Sequence, residues 1–205
     1  MINKRALVTA VAASTLAMTG FAQAEVKVGF LGGFTGGIES LTPPIFEGAQ
    51  LAVEQINEQG GILDGQTLVM PSGDTTCSDA SAASNAADRM VNSENVTAIV
   101  GALCTGATIA AANNAAIPGG VLMVSPASTA PAVSELDDND LVFRTVPSDA
   151  FQGEILAKLL LEKGIDAVAV TYVNNDYGQG LSDAFSAAFE AGGGEITENL
   201  AHEDN

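Results

Sequence analysis

From Val26 onward, short apolar runs alternate with longer stretches in which apolar residues recur every three or four positions. Val26 to Leu31 is almost wholly apolar, as in a strand buried on both faces. Residues 44–59 then place Ile45, Ala49, Ala52, Val53 and Ile56 at helical spacing, and Gly60-Gly61 ends the run. The same reading predicts a second strand over 67–70 and a helix capped by Ser78 and running to Asn92. A third strand over 96–102, a helix over 108–116 and a fourth strand over 121–124 complete the set. Residues 141–146 read as an edge segment leading away. A helix over 150–163, a buried strand over 167–173, a helix over 180–190 and a strand from Glu195 to Leu200 follow.

Strand–helix alternation at this spacing predicts an α/β fold, with a parallel sheet and helices on both faces. The pattern restarts after Pro147-Ser148-Asp149, so two lobes are expected: residues 25–146, then a partial second lobe over 147–205. In such sheets ligands lie beyond the carboxyl ends of the strands. The unusual residues fall there: the turn from Gly32 to Gly37, Thr75-Thr76-Cys77, Cys104-Thr105-Gly106 and Ser125 to Thr129. Four such loops along one edge predict a site.

Residues 1–24 carry Lys4 and Arg5, a small apolar run and the close Ala22-Gln23-Ala24, the three parts of a secretory signal peptide cleaved after Ala24. Thr9, Ser14, Thr15, Thr19 and Gly20 interrupt the run, which falls short of the ~20 strongly apolar residues that span a bilayer. Loss of Lys4 and Arg5 leaves five basic residues against 25 acidic ones. A surface so acidic favours solubility and repels nucleic acid.

GALCTGAT, residues 101–108, has Gly101, Gly106 and Thr108 at the offsets of a phosphate-binding loop, but Ala107 stands where the lysine belongs. Without that cation, and in an exported chain, the nucleotide reading fails. Two readings of the helix start remain. Unpaired N–H groups with the Thr105 hydroxyl form a cradle for a carboxylate, or Thr105 or Thr108 caps its own helix. SPASTAP, residues 125–131, offers the hydroxyls of Ser125, Ser128 and Thr129 beside free carbonyls, which suits a ligand with an anionic and a cationic end; alone, it is also an ordinary polar turn.

Cys77 and Cys104 are the two cysteines, and an even count in an exported chain predicts a disulfide. Both follow strands expected to be neighbours, ~4.8 Å apart. A metal pair or a redox pair lacks C-x-x-C spacing and nearby histidines. The lone histidine, His202, sits in the polar tail, and no G-x-S-x-G elbow occurs, so a secreted α/β hydrolase finds no nucleophile here. Asp74, Asp149 and Asp176 read as helix-capping loop carboxylates rather than acid–base groups.

These motifs carry a resemblance. VKVGFLGGFTGG, EGAQLAVEQINEQGGI (Glu47 to Ile62), the Asp74 and Cys77 loop, GALCTGAT, VSPASTAP, FRTVPSDAFQG (Phe143 to Gly153) and NNDYGQG (Asn174 to Gly180) occur in the order found in type I periplasmic solute-binding proteins. The chain resembles those serving ABC importers of branched-chain amino acids. The resemblance implies a two-lobed, non-enzymatic, monomeric clamp that needs no cofactor or metal. It would close on a small amino acid and hand it to a membrane permease. Thr105 and Thr129 would hold the ligand carboxylate, and the Ala127 carbonyl would accept from the ammonium. Ser128 would line the wall beside Cys104, Tyr177 would close over from the second lobe, and the hinge would run from Arg144 to Asp149. Leu41 stands where such binders carry an aromatic residue, so the loop from Ile38 to Pro44 departs from the pattern. The acid that meets the ammonium is expected beyond Asn205, with the rest of the second lobe. Receptors of the same fold for amides, urea or aromatic acids are the alternative.

Overall fold

The computed structural model describes residues 25–203; the signal segment and its cleavage site after Ala24 lie outside the described residues. Strand β1 (Glu25–Gly32) is the axis of the first sheet. It pairs in parallel with β2 (Thr67–Val69) and β3 (Ser72–Asp74) on one side and with β4 (Ala98–Val100) on the other. Then come β5 (Leu122–Ser125) and, at the edge, β6 (Val142–Arg144), giving the order β2-β1-β4-β5-β6 with β3 beside β1. The expectation of a parallel sheet holds, and residues 141–146 do supply its edge.

Successive residues of a strand face opposite sides, and β1 shows both sides covered. Phe30 meets Phe34 and Phe46, at ring centroid distances of 6.1 and 4.8 Å. Phe46 belongs to helix α1 (Thr42–Glu58). Leu31 joins the opposite core with Met90, Ile99, Met123 and many alanines. Five of those alanines sit on α2 (Ala80–Asp88) and α3 (Thr105–Ala111), whose small side chains let the helices lie close to the sheet. Both helices lengthen through wider turns, Arg89–Ser93 after α2 and Ala112–Ala116 after α3.

Several expected boundaries move for local reasons. Helix α1 starts at Thr42 rather than Pro44, because the buried Thr42 hydroxyl donates to the Gly33 carbonyl at 2.7 Å and the prolines fit the first turn. Ile45 and Ala52 face solvent, and Phe46 takes the inward position. The α2 cap is Asp79, not Ser78: its carboxylate accepts from the N–H groups of Ser81 and Ala82. Strand β4 ends at Val100, short of Ala102. Gly101 has φ of +121°, and a side chain there would strike the Leu31 carbonyl, so only glycine fits this exit.

A second, two-stranded parallel sheet joins β7 (Ala167–Val173) and β8 (Glu195–His202); β7 has the expected bounds but not the expected burial, its residues being exposed or half-buried in a sheet of two strands. Helix α4 (Asp149–Glu162) is capped by Ser148, and α5 (Asp176–Ala191) by Asn175, whose Oδ1 accepts from the Gly178 N–H. Their core is Ala157, Phe185 and Phe189, against Val168, Val170 and Ile196. Phe151, Ile155 and Leu159 form a solvent-facing stripe on α4. Gly153 is where α4 touches α5: a Cβ there would lie 2.7 Å from backbone atoms of Ala184 and Phe185. Gly153→Ala therefore forces the helices apart and lowers stability by about 1–3 kcal/mol, read as a fall in the thermal midpoint.

Candidate functional site

The carboxyl ends of β1, β3, β4 and β5 deliver four loops to one edge. Cys77, after β3, and Cys104, just before α3, form a disulfide with Cα atoms 5.5 Å apart. The pairing stands, but its expected geometry needs correction. The two strands are not neighbours; β1 lies between them. The bridge therefore crosses over the end of β1, and Gly33 passes beneath it, where a Cβ would lie 2.9 Å from the Cys77 sulfur.

Two residues of this loop, Thr76 and Cys77, have φ of +54° and +64°, a conformation unfavourable for both. Asp74 holds it. Its carboxylate accepts from the N–H groups of Phe34, Thr35 and Thr76 and from the Thr35 hydroxyl. Partial burial raises the Asp74 carboxyl, but these donors outweigh it and keep it below its ordinary value. One carboxylate thus ties the glycine turn after β1 to the cysteine loop.

On the other side the polar groups form a closed network. The Ala102 carbonyl accepts from the hydroxyls of Ser125 (2.6 Å) and Thr108 (3.1 Å). Ser125 Oγ in turn accepts from the N–H groups of Ala127 and Ser128. Ser128 Oγ and Thr108 Oγ1 lie 2.7 Å apart. Of the three hydroxyls expected to serve a ligand in this loop, those of Ser125 and Ser128 are bonded inside the protein. The Thr129 hydroxyl has no protein partner among the described residues; its carbonyl accepts from Arg144 Nη1 and from the Asp149 N–H. Arg144 also reaches the Ala130 carbonyl and Ser134 Oγ, locking the loop to β6.

Helix α3 begins at Thr105, three residues earlier than expected, with Cys104 as its cap residue and no side-chain cap bond. Neither threonine caps it. Thr108 turns back to Ala102, and Thr105 is 1% exposed with an Oγ1 that has no hydrogen-bond partner. A buried hydroxyl left unpaired costs free energy, so the capping reading loses ground to the ligand reading.

Helix α5 starts at Asp176, not Gly180, and meets this edge. A Cβ at Gly106 would collide with the Asp176 carboxylate, and one at Gly180 would lie 2.9 Å from the Ala130 Cβ. Tyr177 follows Asp176 at the start of α5 and is half exposed. Leu41 precedes α1 and is exposed, in the loop folded onto Gly33. The structure thus gathers Cys104, Thr105, Ala127, Ser128 and Thr129 through shared bonds and adjacent positions, brings the helix of Tyr177 against them, and leaves Leu41 on the rim. His202 lies exposed in β8. A groove of ≈ 550 Å³ between α4 and α5 is lined by alanines, Leu161 and the charged Glu154, Lys158 and Glu162, the last two paired with each other; none of the expected site residues lines it.

The reading of Asp149 as a helix-capping carboxylate does not hold: Ser148 is the cap, and Asp149 is buried and bonded through its N–H to Thr129. The available signal was the neighbouring Ser148, as good a cap residue as aspartate.

Parallel strands whose carboxyl-end loops gather hydroxyls on one edge define an α/β protein with a candidate ligand site there. The family described as periplasmic binding protein matches residues 25–205, and the chain belongs to it. It is 35% identical over 191 residues to the Leu/Ile/Val-binding protein BraC3 of Rhizobium johnstonii, covering 93% of this chain and 50% of that protein. The leucine-binding protein LivK of Thermotoga maritima superposes with a TM-score of 0.78 at 31% identity, over 88% of this chain and 50% of that one. LivJ of Streptococcus pneumoniae, solved with isoleucine, gives a TM-score of 0.75 at 30% identity over 88% and 50%. The chain spans about half the length of these relatives.

Cys104→Ser opens a bridge between residues 27 apart and is expected to cost about 3–4 kcal/mol. A lower thermal midpoint, reproduced in the native chain by reductant, checks this. Asp74→Asn removes a charged acceptor and should cost about 1–2 kcal/mol at pH 7. Because the folded Asp74 carboxyl lies below its unfolded value, its contribution is present above about pH 4 and is lost as pH falls through the folded value. Melts of the two chains should therefore converge as the pH falls below about 4.

Proposed function

We propose that this chain is the substrate-binding part of an ABC importer in the periplasm, and that it captures a branched-chain amino acid. Residues 25–146 form one lobe and residues 147–205 part of the other, with the ligand held at the loop edge between them. The observation that carries this reading is the buried, unpartnered Thr105 hydroxyl beside the bridged Cys104. It is supported by the Thr129 hydroxyl, which has no protein partner among the described residues, and by relatives named for leucine, isoleucine and valine. A ligand carboxylate satisfies both hydroxyls and needs no lysine, in keeping with Ala107 in GALCTGAT. The Ala127 carbonyl faces the ammonium, Ser128 and Cys104 form the wall, Tyr177 covers the ligand from α5, and Leu41 borders its side chain.

No bond is made or broken in this reading. The ligand contacts both lobes only when they are closed, so it binds that state better and shifts the population towards it. The membrane permease then receives the closed form. The disulfide and Asp74 keep the first-lobe loops fixed, so less ordering is needed when the ligand arrives.

A thermal-shift panel of leucine, isoleucine, valine, amides, urea and aromatic acids tests this on the chain from Glu25. A ligand at a hundredfold its Kd adds ~2.7 kcal/mol, which moves the midpoint by a few degrees. We expect an aliphatic amino acid to do so. Thr105→Val should leave the free protein as stable or more so while weakening binding tenfold or more. A response only to amides, urea or aromatic acids removes the amino-acid assignment, and no response to any of them removes the receptor reading.

A further inference from the structure

Asp149 opens α4 with only 2% of its surface exposed. Its backbone N–H donates to the Thr129 carbonyl at 2.9 Å, which seats it against the Ser125–Pro131 loop. Its Oδ2 is buried and has no hydrogen-bond partner among the described residues. The usual reasons for burying a carboxylate are missing. The α4 cap is filled by Ser148, whose Oγ accepts from the Ala150 N–H. Arg144, the basic side chain that reaches the same loop, gives its donors to Thr129, Ala130 and Ser134. The ion pairs among the described residues involve Glu94 and Glu162, not Asp149.

A buried carboxylate without a partner opposes folding. Such a cost persists where a bound ligand offsets it. The carboxylate is attached, through its own backbone bond, to the residue whose free hydroxyl faces the anionic end of the ligand. An α-amino acid carries its two charges one carbon apart, so a single small ligand spans Thr129 and Asp149. We infer that Asp149 accepts the cationic end of the solute and thereby selects zwitterionic amino acids over simple carboxylates of the same shape. The inference rests on the reading of the loop edge as a solute site. It adds an acid within this chain to the one that the family resemblance implies beyond Asn205. Of the other carboxylates at this edge, Asp74 is taken up by its four donors, and Asp176 is exposed beside Gly106, where an acid already solvated by water gains little from a cation.

The test uses the chain from Glu25 and whichever of leucine, isoleucine and valine binds it best. The same molecule without its amino group is the comparison, 4-methylpentanoate in the case of leucine. Calorimetric titrations of the native chain, Asp149→Asn and Asp176→Asn give the affinities, and melts of the free proteins give their stabilities. We expect Asp149→Asn to weaken the amino acid at least tenfold, about 1.4 kcal/mol, to change the deaminated acid less than threefold, and to melt no lower than the native chain. Equal weakening of both molecules overturns the inference. So does a free Asp149→Asn chain that melts several degrees lower or fails to fold, since the carboxylate would then be a structural acceptor. So does loss of the discrimination in Asp176→Asn instead. If the native chain binds no amino acid, the proposed function falls first. If it binds one and Asp149→Asn still discriminates as well, the inference alone falls.

Discussion

The loop edge depends on a covalent bond that crosses a strand. Cys77 and Cys104 leave the sheet on opposite sides of β1, and closing the bridge draws both loops inward over the strand's end. Gly33 must lack a side chain to pass beneath, and Thr76 and Cys77 must take left-handed backbone angles to reach across. The four donors on Asp74 stabilise that unfavourable path from below. Core packing of alanines and methionines positions the strands, but the bridge decides where Thr105 comes to rest, one residue past Cys104 at the start of α3.

Polar groups at this edge divide into two sets, and the division separates stability from function. Ser125, Thr108 and Ser128 satisfy one another around the Ala102 carbonyl and make the β4–β5 exit a closed, rigid corner. Thr105 and Asp149 are buried without that satisfaction. Thr75 and Ser186 also bury an unpartnered hydroxyl, and among the described residues Asp149 is the one such group bonded through its backbone to Thr129. The second sheet adds to this edge through α5, where Gly106 and Gly180 remove the side chains that would keep Asp176 and Ala130 at a distance.

Much of the architecture was legible. The apolar runs gave the main strands and their parallel direction, though not their order, and the bounds of β7 matched because Ala167 to Val173 is a continuous β-rich run between polar segments. Strand β3 was not legible: Ser72-Gly73-Asp74 has no apolar character, and it pairs with β1 because Gly73 fits under Leu31, Ala86 and Met90. Helices α3 and α5 begin earlier than their sequences suggest, since Gly106, Gly178 and Gly180 weaken helix propensity but permit close approach to Asp176, Val173 and Ala130. The position of the site was readable from four polar loops on one edge. Which hydroxyls remain free was not, because Ser125, Ser128 and Thr129 look alike in sequence and differ only in what the folded chain brings to them. Asp149 was read as a helix cap because a loop carboxylate before a helix usually is one, and only the fold shows that Ser148 takes that place.

Backbone amide NMR of the chain from Glu25, followed as leucine, isoleucine or valine is added, tests the account most directly. The account predicts that the largest shifts fall on Thr105, Gly106, Ala127 to Thr129 and Asp149, with smaller ones at Tyr177. Shifts concentrated along the α4–α5 groove, around Ala157 and Ala188, would contradict it, as would a spectrum that does not change at all.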